Sequence, residues 1–134
     1  MPPWISAPGI SAIKDSKSTF EIIIDRGSAL IRPTFDDGLA GWIHFAIPSP
    51  ASNTRNLNVL AIDFSGSAAT VDKVAIYLAN DPQFKKENLQ KRESFKLDMP
   101  DSISYEGTGI SVSTYLQFEG IYSQISFHSV GIQN

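Results

Sequence analysis

Short runs of alternating apolar and polar residues, separated by turn-forming residues, recur along most of this chain. That spacing predicts an antiparallel all-β fold. The first run covers 19–25, with Phe20, Ile22 and Ile24 on one face. Arg26-Gly27-Ser28 supplies a turn, and 29–35 returns as a strand. Pro33 has no N–H to donate, which puts that strand at an edge or breaks it. Asp36-Asp37-Gly38 is a turn signal. In 41–47, Ile43, Phe45 and Ile47 alternate with Trp42, His44 and Ala46, and Pro48-Ser49-Pro50 ends the run. Residues 51–56 are small and polar and read as a loop. The next run, 57–65, is apolar on both faces, with Val59 and Ala61 against Leu60, Ile62 and Phe64. Such a strand is expected to be central and covered on both sides. After Gly66, the run 70–79 turns Val74, Ile76 and Leu78 inward.

Residues 80–92 are the one helix-like stretch. Asp81 is placed to cap and Pro82 to occupy the first helical position. The apolar stripe is only Phe84 and Leu89, which predicts no more than a short helical turn. Its basic residues, from Lys85 to Arg92, read as a solvated loop. Strands resume at 93–99, with Phe95 and Leu97 inward, and 101–109 is a loop carrying Tyr105. Two further runs follow. In 108–118, Ile110, Val112, Thr114, Leu116 and Phe118 alternate with Ser111, Ser113, Tyr115 and Gln117; in 123–132, Ile125 and Phe127 face inward. With Glu119-Gly120 between them they are expected to form a hairpin. The chain therefore reads as one domain over residues 1–134: a single antiparallel β-sandwich, jelly-roll-like, of about eight strands with little or no helix. Ile22, Ile24, Ile43, Phe45, Leu60, Ile62, Ile76, Leu116 and Phe127 form the predicted core.

Composition narrows what such a domain can do. At 134 residues with 42% hydrophobic and 19% charged positions, it can bury a core without a metal or a disulfide. There is no cysteine, so thiolate metal sites, iron–sulfur clusters and cysteine nucleophiles are excluded. Net charge is −3 and the basic residues are scattered, which argues against nucleic acid and against a polybasic membrane patch. No apolar run approaches the roughly 20 residues of a spanning helix. The stretch Met1-Pro2-Pro3-Trp4 lacks the basic start and apolar run of a secretory leader, so a cytoplasmic location is expected.

Candidate chemistry is sparse. His44 and His128 are each centred in a strand with no Gly-x-Ser-x-Gly elbow or other nucleophile context. Neither has a second histidine at metal-ligand spacing, so no metal site, no cofactor and no catalytic residue is predicted. The Asp36-Asp37-Gly38 corner lacks the alternating acidic spacing that wraps calcium. Gly107-Thr108-Gly109 lacks the lysine and helix of a phosphate loop. What remains is aromatic. Trp42, Tyr77 and Tyr115 point away from the core face, and Trp42 shares its face with His44. Aromatics with a polar handle suit sugar stacking and protein interfaces, so Trp42, His44, Tyr77 and Tyr115 are the candidate binding residues.

The segment Gly41-Trp42-Ile43-His44-Phe45-Ala46-Ile47-Pro48-Ser49-Pro50, followed by Arg55, Leu57 and the apolar run 59–64, resembles a family of small uncharacterised β-sandwich proteins. That family, a domain of unknown function, carries Trp-x-His-x-x-Ile-Pro-Thr-Pro, then an arginine and an apolar strand. Its Val-x-Ile-Tyr-like strand answers to Val74-Ala75-Ile76-Tyr77 here, and its closing Gly-Ile-Ser-Val to Gly109-Ile110-Ser111-Val112. The resemblance spans 28–118, with Ser49 where the family has threonine. It implies the sandwich and no activity. The residues themselves favour a non-enzymatic binding or interaction module for a protein or glycan. The alternatives are a small hydrolase-like enzyme with an Asp/Glu/His site assembled from loops, and a homo-oligomeric structural subunit pairing through edge strands.

Overall fold

A computed structural model of the chain describes residues 4–48, 56–105, 107 and 109–133, with 100–102 described in backbone only. Its strands are β1 (Trp4–Pro8), β2 (Ala12–Lys14), β3 (Glu21–Asp25), β4 (Ser28–Arg32), β5 (Ala40–Ile47), β6 (Asn56–Ser67), β7 (Ala69–Leu78), β8 (Asp81–Lys86), β9 (Glu93–Ser104), β10 (Ile110–Phe118) and β11 (Gln124–Gln133). They form two antiparallel sheets packed as a sandwich. One has the order β3-β4-β11-β6-β9, with β1 also paired to β11; the other has the order β2-β5-β10-β7-β8.

The inward positions of the central strands follow the alternation. Ile43, Phe45 and Ile47 of β5 and Ile110, Val112, Leu116 and Phe118 of β10 are buried. They meet Leu60, Ile62 and Phe64 of β6 and Ile125, Phe127 and Ile132 of β11. Three rings bridge the sheets: Phe45 lies 5.0 Å from Phe127 edge-on, and Phe127 lies 6.1 Å from Phe64. Buried Thr114 is tolerated because its hydroxyl donates to the Ile43 carbonyl at 3.2 Å. Among the described residues, no helix is long and apolar enough to cross a membrane.

The structure departs from the sequence reading at six places. Residues 81–86 are not a helical turn but the edge strand β8, with Phe84 opposite Ile76. An amphipathic helix needs a wider stripe than Phe84 and Leu89 provide, whereas β7 has an open edge to pair. Pro82 fits there because an edge strand can spare a donor. Positive φ at Ala79, Asn88 and Gln90 interrupts any helix on either side. The runs ending the chain do not form a hairpin. β10 pairs with β5 and β7, while β11 pairs with β6, β4 and β1 in the other sheet. Each is the middle strand of its own sheet, flanked on both sides, so the chain crosses from one sheet to the other between them.

Ile24 is 53% exposed and Ile22 only half-buried. They lie on β3, an outermost strand, and Ile24 sits near the hairpin turn, beyond the reach of the facing sheet. β6 is central, yet Val59 and Ala61 on its outer side are only half-buried, so the strand is fully covered on one face alone. The expected loop 101–109 begins later, since β9 continues to Ser104 and buries Ile103. The run 29–35 is cut short at Pro33, since β4 ends at Arg32, and the strand lies between β3 and β11 rather than at an edge. Residues 49–55, which include the end of the Pro48-Ser49-Pro50 stop, Arg55 and most of the expected 51–56 loop, lie outside the described residues.

Two short strands near the N-terminus had no periodic signal. β1 adds to the six-stranded sheet and β2 to the five-stranded one, so the chain changes sheets over the tight turn Gly9–Ser11. Gly9 makes this crossing feasible: a Cβ there would sit 1.8 Å from the Phe127 carbonyl oxygen.

Candidate binding face

The outer face of the five-stranded sheet is built from residues whose neighbours point into the core. Strand pairing sets them in rows running across the strands. Tyr115 of β10 stands between Trp42 of β5 and Lys73 of β7. One row along, Ser113 stands between His44 and Ala75, and one row further Ser111 stands between Ala46 and Tyr77. The sequence reading pointed Trp42, Tyr77 and Tyr115 away from the core and set His44 beside Trp42; the structure puts all four on the outer face of one sheet.

Trp42 and Tyr115 touch as an edge-on pair with ring centroids 5.2 Å apart. Lys73 places its ammonium 4.6 Å from the Tyr115 ring centre, and Lys85 of β8 places its own 5.9 Å from that of Trp42. Ring quadrupoles attract these ammonium groups by roughly 0.5–1 kcal/mol at an exposed site. The row is therefore two partly exposed rings topped by ammonium hydrogen-bond donors. Lys85 also pairs with Glu87 at 3.2 Å, while Lys73 has no carboxylate in ion-pair range among the described residues. Tyr77, half-buried, stands two rows from Tyr115, about 14 Å along the strands.

His44 is held on both sides. Its Nε2 lies 2.7 Å from Asp15 Oδ1 and its Nδ1 lies 2.7 Å from the Ser113 hydroxyl. The hydrogen bond from His44, reinforced by the Lys17 backbone N–H, holds the Asp15 carboxyl below the usual carboxylate range. An ionised carboxylate only accepts, so Nε2–H donates to Asp15, and in the neutral ring Nδ1 accepts from Ser113. Both ring nitrogens are thus occupied by protein groups, and His44 braces the face between its two aromatic rows. Asp15, Ser113, Lys73 and Lys85 were missed by the sequence reading. Only the outward phase of Lys73 and Ser113, shared with Tyr115, carried any signal.

Asp15, His44 and Ser113 form a chain of hydrogen bonds that superficially matches a hydrolytic triad. Ser113 is 3% exposed and sits mid-strand between two paired neighbours, so the backbone N–H groups around it belong to the sheet rather than to an oxyanion site. His128 cannot join it. It lies on the outer side of the other sheet, against Ser28 and Ser65. Asp36 and Asp37 are exposed at a turn closed by the Gly38 N–H to the Phe35 carbonyl. Among the described residues, no three His, Asp or Glu side chains converge as a metal site.

No protein-family model matches the chain, and no curated protein sequence matches it. Similar solved structures do exist. A low-affinity xylan-binding module of Roseburia intestinalis shares 10% identity at a TM-score of 0.57, covering 98% of this chain and 96% of that one. The CBM36-1 domain of a multidomain xylanase from the Trinervitermes trinervoides hindgut metagenome shares 5% at 0.55, covering 98% of each. A family 29 carbohydrate-binding module variant shares 10% at 0.57, covering 99% and 93%. At such identities the likeness is one of fold: the chain has the β-sandwich architecture seen in carbohydrate-binding modules.

Proposed function

We propose that this protein is a non-catalytic carbohydrate-binding module whose glycan site is the outer face of the five-stranded sheet. The observation that carries this reading is the row Trp42–Tyr115–Lys73, an aromatic pair topped by an ammonium on an open sheet face. Sugar rings offer both apolar C–H faces and hydroxyl edges. A half-exposed indole and phenol suit the former, and Lys73, Lys85 and the Tyr77 hydroxyl suit the latter. Full-length likeness to solved carbohydrate-binding modules supports the same reading.

The test is calorimetric titration with soluble xylan, mannan and cellulose oligosaccharides, backed by electrophoresis through polysaccharide-loaded gels. Binding to at least one glycan is expected. Trp42→Ala and Tyr115→Ala should each weaken it by tenfold or more, about 1.4 kcal/mol, while both variants stay folded. A wild-type protein that ignores all of these glycans would refute the proposal, as would variants that bind like the wild type.

A further inference from the structure

At the end of the same sheet face, beyond the aromatic row, lies a groove of about 480 Å³. That volume is within the roughly 300–1,000 Å³ of small-molecule sites. Its floor is Ala40, Gln117 and Thr70, which pair across β5, β10 and β7. Ala40 and Gln117 are the next outward positions after Trp42 and Tyr115, so the groove continues the aromatic face without a break. One wall carries Gln90 and Arg92, on the segment that follows β8. That segment is fastened to β7 by Leu89 N–H to the Asp72 carbonyl at 2.8 Å and by paired bonds between Val71 and Lys91 at 2.8 and 2.9 Å. The opposite wall is Glu119, whose N–H bonds the Ala68 carbonyl at 2.9 Å.

We propose that this groove is a second sugar subsite, and that the whole face takes a linear oligosaccharide lying along the strands. The proposal rests on the glycan reading above. The groove's polar groups are the two amides, one hydroxyl, one guanidinium and one carboxylate of Gln90, Gln117, Thr70, Arg92 and Glu119. Together they donate and accept, as sugar hydroxyls require, and the one aromatic residue among the lining, Phe118, is buried in the core and offers no open ring face. It therefore grips the edge of a sugar through hydrogen bonds where the Trp42–Tyr115 row grips a face. Arg92 and Glu119 stand 3.9 Å apart and are 63% and 62% exposed, a loose pair that leaves most of its hydrogen-bonding capacity to a ligand. From the Ser111–Tyr77 row to Gln117 is six residues of strand, roughly 20 Å, so a mono- or disaccharide cannot engage both ends.

A calorimetric series from disaccharide to hexasaccharide of whichever glycan binds tests this. Affinity should climb until the ligand spans roughly 20 Å and then level off. The double variant Gln117→Ala/Arg92→Ala should bind the hexasaccharide about tenfold more weakly and the disaccharide as well as wild type does. Both residues are exposed, and an unchanged melting temperature would show that the loss is local. Suppose affinity levels off at the disaccharide, or the double variant holds the hexasaccharide like wild type, while Trp42→Ala still abolishes binding. Then the subsite is wrong and the aromatic site stands. If no glycan binds at all, both fall.

Discussion

Replacing Phe45 with alanine would remove the ring that joins the two sheets at their centre. Phe45 is fully buried on β5, 5.0 Å from Phe127 of the opposite sheet, and Phe127 in turn contacts Phe64. The neighbouring residues Ile43, Val112 and Ile76 are also fully buried and held by strand pairing, so the site cannot collapse to fill the gap. Lost transfer energy and residual cavity together should cost ~3–5 kcal/mol, a large share of a domain's usual 5–15. Unfolding entropy near 2.1 cal/mol/K per residue converts this to a melting temperature lower by roughly 10–20 °C for a chain of 134 residues. The same truncation at Ile24, an equally apolar position that is 53% exposed, should cost less than ~1 kcal/mol. Urea unfolding of wild type and the two variants, followed by tryptophan fluorescence and circular dichroism, gives both numbers. Equal losses at the two positions, or a loss below ~1 kcal/mol at Phe45, would refute the in-and-out assignment of these strands.

Gly9→Ala should destabilise by about 1–3 kcal/mol or more, because its Cβ would collide with the Phe127 carbonyl. Gly27→Ala meets nothing within 4 Å and should be neutral or stabilising by up to ~1 kcal/mol; thermal melts of both variants compare them directly. For Asp15, the depressed native pKa means its stabilisation is present above the unfolded carboxylate value of about 3.9 and is lost as pH falls through the lower native value. Melting temperature recorded from pH 6 down to pH 2 should therefore fall more steeply for wild type than for Asp15→Asn, and identical profiles would contradict the hydrogen bond to His44.

Local alternation was enough to place Ile43, Phe45, Val112 and Leu116 inside and Trp42, Tyr77 and Tyr115 outside. A strand's two faces are a property of consecutive residues, and a buried face demands apolar side chains at every second one. The all-β class follows from the same signal. Which strands pair is not local information. β10 and β11 adjoin in sequence yet lie in different sheets, and β1 and β2, only a few residues each, gain their order from β11 and β5 rather than from any pattern of their own. Segment 81–86 became a strand because β7 offered an edge, and Ile24 stayed in solvent because β3 lies outermost in its sheet. The candidate site divides the same way. Its rings were legible on β5, β7 and β10, but the contact of Lys73 with Tyr115 and the brace of Asp15 and Ser113 on His44 join residues 29 to 69 positions apart in the case of His44 and from separate strands in the case of Lys73. Only the register between strands brings such groups within hydrogen-bonding reach, and register is set by the packing of the whole core.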